Sequence, residues 1–81
     1  MVEVINEVGV FVGNLRILNL IADKDVSADV NGKTLTLKVL YEKDEVAELF
    51  IKFSSRFWDY DCQVKAIKEK DVVTVIIKQI I

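Results

Sequence analysis

The sequence predicts an all-β protein, and three observations carry that prediction. Side chains alternate between apolar and polar along residues 34–41, as they do in a strand with one face on a core. The two-residue turn signals Gly13-Asn14 and Asn31-Gly32 each separate two apolar runs, which is typical of β-hairpins. The β-branched run 72–81 is typical of a strand buried on both faces. With 81 residues, the chain is expected to form a single domain, 1–81, because two cores would each be too small.

The other predicted strands follow from the same signals. Apolar runs flank each turn, and an alternating run precedes the polar break at residues 69–71. In chain order, the predicted strands are residues 10–12, 15–22, 26–30, 33–41, 62–68 and 72–81. No segment of the sequence visibly repeats another, and no linker divides the chain.

Residues 45–57 fit two different structures. As a helix, they place Val46, Leu49 and Phe50 on one apolar stripe, with charged side chains on the other side. As a strand, they place Leu49 and Ile51 on one face and Phe50 on the other. The pattern leaves both open, so the alternative to the all-β fold is an α+β fold with one helix near residues 45–57.

Composition argues against several classes of function. The 11 basic and 13 acidic residues give a net charge of −2, so no overall charge attracts the chain to nucleic acid or to an acidic membrane. Histidine is absent and Cys62 is the single cysteine, which argues against disulfides, zinc sites and histidine-based catalysis. We therefore expect no enzyme, no cofactor, no metal and no nucleic-acid partner. No apolar run reaches the ~20 residues that span a bilayer, and one free cysteine fits a reducing compartment, so we expect a cytoplasmic protein without a membrane partner.

Three segments share the order and spacing of a known β-sandwich family. Residues 25–39 read as an acidic residue, an alternating strand, a tight turn and a second strand, and residues 50–53 place aromatics around a lysine. Residues 66–73 keep the spacing of a signature with Ala, three variable residues, Asn, Gly, Val and Leu, although Asp71 replaces the Gly. In this order the segments resemble the small heat-shock protein family, with its alpha-crystallin domain, and the related CS domain of co-chaperones. The resemblance implies an antiparallel β-sandwich of about seven strands.

The resemblance also implies a function. It indicates a chaperone-like module that binds exposed apolar or extended segments of other proteins without ATP. A CS-like docking or scaffold module with one defined partner is the alternative within the same superfamily. The chain leaves no room for that family's N-terminal arm and C-terminal tail, so the expected assembly is a monomer or a small homodimer. A further alternative, of another class, is a small α+β nucleic-acid-binding protein that uses the lysines of residues 65–78.

Two groups of residues are candidates for binding a partner. The resemblance implies that partners lie along an exposed sheet edge or groove, and the matching strands are residues 26–30 and 62–68. Trp and Tyr are enriched where proteins bind one another, so the aromatic run near residue 58 is the second candidate. The alternative for the first group is ordinary core, and for the second a buried rim at one end of the domain. The candidates are Val26, Ala28, Val30, Val64, Ala66, Phe57, Trp58 and Tyr60.

Overall fold

The computed structural model describes residues 1–80 and has an α+β fold. The sheet has the strand order β1-β2-β4-β3, and each neighbouring pair is antiparallel. In chain order the elements are α1 (Val2–Ile17), β1 (Val26–Asn31), β2 (Thr34–Leu40), α2 (Asp44–Ser54), β3 (Cys62–Lys68) and β4 (Val72–Gln79), with short 3-10 helices at Asp23–Asp25 and Ser55–Tyr60. The predicted β-sandwich of about seven strands is therefore wrong, and the chaperone activity implied with it has no support in this fold.

The largest error concerns the predicted strands 10–12 and 15–22, because Val2–Ile17 forms a helix and residues 18–22 belong to no strand. The predicted turn at Gly13 lies inside α1, and Val4, Val8 and Leu15 bury one side of that helix. The pattern misled because apolar residues occur on every side of α1, so that no helical stripe stands out. Glycine disfavours a helix interior by about 1 kcal/mol relative to alanine, and packing of the buried side overrides that preference here.

The end of α1 follows a standard capping arrangement. Asn19 adopts a left-handed backbone with φ of 60°, which asparagine tolerates better than most residues. Its amide donates to the Arg16 carbonyl at 3.0 Å, and the Leu20 amide donates to the Leu15 carbonyl at 2.9 Å. These two bonds form a Schellman motif, which satisfies carbonyl groups that the helix end would leave unpaired.

The sequence-based alternative is right about the second helix. α2 begins at Asp44 and continues through the 3-10 helix to Tyr60, so the region near residues 45–57 is helical. Its apolar stripe is buried: Phe50 and Phe57 are fully enclosed, and Val46 and Phe53 are nearly so. The regular 3.6-residue spacing of these side chains is what made this helix recognisable.

The other four predicted strands, residues 26–30, 33–41, 62–68 and 72–81, are confirmed as the two hairpins of the sheet. β1 and β2 are joined by a tight turn at Gly32, whose φ of 61° lies in the left-handed region that glycine occupies without strain. β3 and β4 are joined across residues 69–71, as the polar break indicated. The closing strand β4 covers Val72–Gln79, and residue 81 of the predicted strand lies outside the described residues. The bounds of the other three strands lie within a few residues of the prediction.

The fold consists of two α-β-β halves with the same strand register. Ala28 pairs with Leu37 in the first hairpin, and Ala66 pairs with Val75 in the second. Each residue of the second pair lies 38 positions after its counterpart in the first pair. Leu37 and Val75 in turn pair with each other at the centre of the sheet. An approximate two-fold axis therefore passes between β2 and β4 and relates the strand residues of one half to those 38 positions away. The sequence did not reveal this repeat, because few of the related positions hold the same residue.

The core lies between the helices and one face of the sheet, which we call the inner face. The two central strands supply its floor, and these side chains are almost fully buried: Leu35, Leu37, Val39, Val73, Val75 and Ile77. Across the helix layer, the Phe11 ring stacks on Phe53 with centroids 4.0 Å apart and meets the edge of Phe50 at 5.0 Å. No helix lies on the opposite, outer face within the described residues. None of the helices in residues 1–80 has the length and apolar character needed to cross a membrane.

Candidate functional site

The predicted edge residues occupy the two opposite edges of the sheet. Val26, Ala28 and Val30 lie on β1, whereas Val64 and Ala66 lie on β3. The strand order places β1 and β3 at the two outer positions, so the two groups do not share one groove. Each group has to be considered as a separate surface.

The β1 edge exposes apolar side chains and unpaired backbone. Val26, Ala28 and Val30 pair with inner-face residues of β2, and therefore point to the inner face themselves. The helices cover Val26 in part, but Ala28 is exposed and Val30 is 49% exposed. The only charged residue of β1 is Asp29, and among residues 1–80 no strand pairs with the free side of β1. We call this surface the β1 edge.

The β3 edge is charged at the equivalent positions. Lys68 lies on the inner face, 38 positions after Val30, and its Nζ lies 3.0 Å from Glu48 Oε1 and 3.5 Å from Asp44 Oδ1. The hydrogen bond to Glu48 raises the pKa of Lys68 above its ordinary value. Lys65 adds a second positive charge on the outer face of the same strand. Lysine on an edge strand discourages the addition of another strand, because its charge would be buried.

The aromatic run divides into one core residue and two surface residues. Phe57 is completely buried, and its ring meets Phe53 and Tyr60 edge to face with centroids 5.4 Å apart. Trp58 is 56% exposed and Tyr60 is also exposed, so both are accessible to a partner. A side-chain hydrogen bond with Glu7 raises the pKa of Tyr60, which keeps its hydroxyl protonated and able to donate.

The outward side of α1 is an apolar surface that the sequence analysis missed. Val2, Val10 and Ile17 point away from the sheet and are 65 to 76% exposed. α1 carries charge only at Glu3, Glu7 and Arg16, and a helix that is apolar on every side is normally buried. This surface was missed because residues 10–17 were assigned to strands. The apolar residues on the outward side of a helix can be recognised only if the segment is considered as a helix, with 3.6 residues per turn.

A groove of about 620 Å³ runs between α1 and α2 on the side away from the sheet. The stacked rings of Phe11 and Phe53 form its floor, while Val10 and Leu49 form its walls. The remaining residues that line it are Asn6, Glu7, Asn14, Lys52 and Arg56. We call this surface the helix groove.

Positive charge predominates at the border of the helix groove. The Arg56 guanidinium lies 4.5 Å from the centroid of the Phe53 ring and pairs with Glu7 at 3.1 Å, so its charge is partly neutralised. Lys52 makes no ion pair within the described part of the chain. A ligand with negative charge along its sides therefore fits this border better than a basic one.

A second hollow, of about 800 Å³, lies where α1 ends and α2 begins. Residues 19–22 and 40–43 line it, and the Tyr41 hydroxyl donates to the Glu69 carbonyl nearby. No group of three potential metal ligands occurs in residues 1–80. Cys62 is enclosed, and burial raises the pKa of its thiol, which leaves it protonated and unreactive. These polar groups do not assemble into a reactive cluster.

Comparison of the chain with known protein families, with curated proteins and with solved structures gives no match. The function therefore has to be argued from the exposed surfaces themselves.

Proposed function

We propose that this chain is a protein-binding module that holds an amphipathic helix of another protein in the helix groove. The observation that carries the proposal is the outward side of α1, where Val10 is 65% exposed beside an aromatic floor. Exposed apolar side chains that line a concave groove are typical of a surface that a partner covers. The proposal keeps the broad expectation of a module that binds apolar segments of other proteins, and it replaces the extended segment with a helix.

The shape and chemistry of the helix groove favour a helical occupant. A helix bound in a groove inserts apolar anchors at positions i, i+3, i+4 and i+7, which lie along one side. The stacked rings of Phe11 and Phe53 offer such anchors a flat floor, and Val10 and Leu49 close the sides. Lys52, which has no ion pair among the described residues, would attract acidic residues on the flanks of the bound helix.

The lone, buried Cys62 supports a location where thiols stay reduced, and a cytoplasmic module is part of this proposal. Catalysis is not part of it.

The proposal can be tested with designed helical peptides of about 20 residues, long enough for five turns. The peptides share one leucine stripe, and their flanks carry either glutamate or lysine. Fluorescence anisotropy with a labelled peptide measures the affinity. We expect the glutamate peptide to bind at least about tenfold more tightly than the lysine peptide, which corresponds to ~1.4 kcal/mol.

Two matched variants locate the binding site. Val10→Glu places a negative charge in the wall of the helix groove and should weaken the glutamate peptide about tenfold or more. Val2→Glu makes the same change on the same helix outside the groove, and should leave the affinity unchanged. Equal losses in the two variants, or no preference between the peptides, would reject the helix groove as the site.

A second candidate function is the binding of single-stranded nucleic acid on the outer face. Lys38, Lys65 and Lys78 share that face, where Asp29 is the only acidic residue within the strands. Lys68, which the sequence analysis grouped with them, lies on the other face and is paired with acids. No aromatic side chain in these strands could stack on bases there, so the support is weaker. Affinity for a labelled oligonucleotide that falls steeply with salt would favour this function.

A further inference from the structure

The β1 edge lacks the features that prevent edge strands from pairing. Natural sheets protect their edges with lysine, proline, bulges or a covering element. β1 contains neither lysine nor proline, and its six residues pair with β2 without a bulge. Val30 is half exposed and Ala28 is exposed on the inner face, whereas the inner-face positions of the two central strands form the core. A strand with these properties needs another strand beside it.

The sequence of β1 has the same pattern from either end. Val26, Ser27, Ala28, Asp29 and Val30 place small or apolar side chains on the inner face and polar ones on the outer face, symmetrically about Ala28. We propose that β1 pairs antiparallel with β1 of a second copy of this chain, centred on Ala28, so that the two sheets join into one of eight strands.

This register gives a favourable partner to each side chain. Ala28 faces Ala28 of the second copy, and each Val26 faces the other copy's Val30, so that apolar contacts apolar on the inner face. On the outer face each Ser27 lies opposite Asp29, and its hydroxyl can donate to that carboxylate. No two like charges lie directly opposite each other, as they would if the register moved to centre on Asp29.

The helix layer is compatible with the same two-fold axis. α2 packs on β3 and β4, and α1 lies beside it on the side toward β1, with its N-terminus crossing to Gln79 of β4. Strands are about 4.8 Å apart and packed helices 8–10 Å, so one helix covers two strands. The two α1 helices would then lie side by side across the new axis, at about the separation of α1 and α2 within one copy.

The side of α1 that would meet the second copy has room for a close approach. Phe11 and Glu7 face α2, whereas Ile5, Gly9 and Val12 lie on the opposite flank at 3.6 residues per turn. Nothing lies within 4 Å of the position that a Cβ would occupy on Gly9, and Ile5 is 40% exposed. The flank is open around Gly9, and its one charged residue, Arg16, lies at the C-terminal end of the helix and is paired with Asp23.

The area of this surface fits a dimer that exchanges with monomer. α1 has 16 residues and is about 24 Å long, and the helix and sheet layers together are about 20 Å high. The flat area is therefore on the order of 500 Å² for each copy, or about 1,000 Å² in total, which is the lower end of specific interfaces. We expect dissociation in the micromolar range.

Sedimentation equilibrium from about 5 to about 500 µM tests the dimer in the range where such interfaces dissociate. Wild type should shift from monomer to dimer. Ala28→Lys places two ammonium groups opposite each other at the axis and should remain monomeric throughout. Ala66→Lys is the matched control, because it is the related position on β3 and has the same exposure class, and it should dimerise as wild type does.

Cysteine substitution provides a second measurement that needs no disrupted interface. Ala28→Cys should give a covalent dimer with a short bifunctional thiol reagent, and Ala66→Cys should not, while the enclosed Cys62 does not react. This measurement decides the matter if Ala28→Lys loses its fold, as judged by circular dichroism. A monomeric wild type at the highest concentration, dimers that survive Ala28→Lys in a folded protein, or cross-linking at position 66 and not at 28 would each overturn the proposal.

Discussion

β1 and β3 occupy equivalent edges of one sheet, in the same register, and on the inner face they differ at one related position. Where β3 has Lys68, bound to Glu48, β1 has the half-exposed Val30. The helices above them differ in the same direction, because α2 has one buried apolar stripe and a charged outer side, whereas α1 carries exposed apolar residues as well as buried ones. The same backbone plan thus gives one half that is protected from association and one half that exposes surface for it.

The first prediction tests whether the second half contributes more to the core. Phe50→Ala removes a fully buried ring that contacts Phe11, and we expect a loss of about 3–5 kcal/mol in the free energy of unfolding. Val12→Ala, at a half-buried position of α1, should cost about 1 kcal/mol. Urea denaturation measures both. Equal losses would show that the two helices share the core evenly.

The second prediction compares the two hairpin turns. Gly32 has a left-handed backbone, so Gly32→Ala should cost about 1–2 kcal/mol in the free energy of unfolding. Lys70 holds the related position in the β3–β4 turn and has no positive φ, so Lys70→Ala should change stability by less than about 0.5 kcal/mol. Thermal denaturation of both variants checks the difference. A larger loss for Lys70→Ala would mean that the second turn depends on the Lys70 side chain.

The third prediction converts one edge into the other. Lys68→Val gives β3 the inner-face pattern of β1, and we expect assemblies larger than a dimer because both edges can then pair. Lys65→Val removes the same charge from the outer face of the same strand and should not change the assembly. Sedimentation velocity separates these outcomes. In an Ala28→Lys background, Lys68→Val should stop at dimers formed through β3.

The fourth prediction, with the smallest effect, concerns the ion pairs at the β3 edge. Glu48→Gln should lower the pKa of Lys68 toward its ordinary value, and Asp44→Asn should lower it less, because Glu48 supplies the hydrogen bond. NMR titration of the Lys68 side chain measures this. Since the folded-state pKa is raised, the stabilisation from this contact is complete below the unfolded-state pKa of about 10.4 and is lost as the pH rises through the folded-state value. Stability near pH 7 should therefore not vary with pH through Lys68.

The sequence predicted the parts of the fold that depend on local spacing. The stripe of Val46, Phe50 and Phe53 indicated a helix, and the alternation around Asn31-Gly32 indicated a hairpin, because each signal lies within a few residues. α1 could not be recognised in this way, since β-branched residues and two glycines resemble strands and turns when packing decides the outcome. The helix forms because packing against the rest of the protein buries one side of it. The sequence pattern gives no information about that burial.

The candidate site shows the same limit. Alternation placed Val26, Ala28 and Val30 correctly on one face of a strand, where Ala28 and Val30 are exposed and Val26 is partly covered. That Val64 and Ala66 lie on the opposite edge depends on the order β1-β2-β4-β3, which local spacing does not determine. The helix groove depends on two helices that meet only in three dimensions.

The pairing of β2 with β4 at the centre of the sheet has a consequence for how the chain folds. Each hairpin closes across a few residues, whereas the shortest central pair, Leu40 with Val72, must first close a loop of about 30 residues. The entropy lost in closing that loop is recovered only when the Phe-lined layer of α2 docks on both hairpins. We expect the two hairpins to form early and independently, so the most deeply buried strands join each other last. A kinetic experiment should therefore find that the pairing of β2 with β4 is the rate-limiting step of folding.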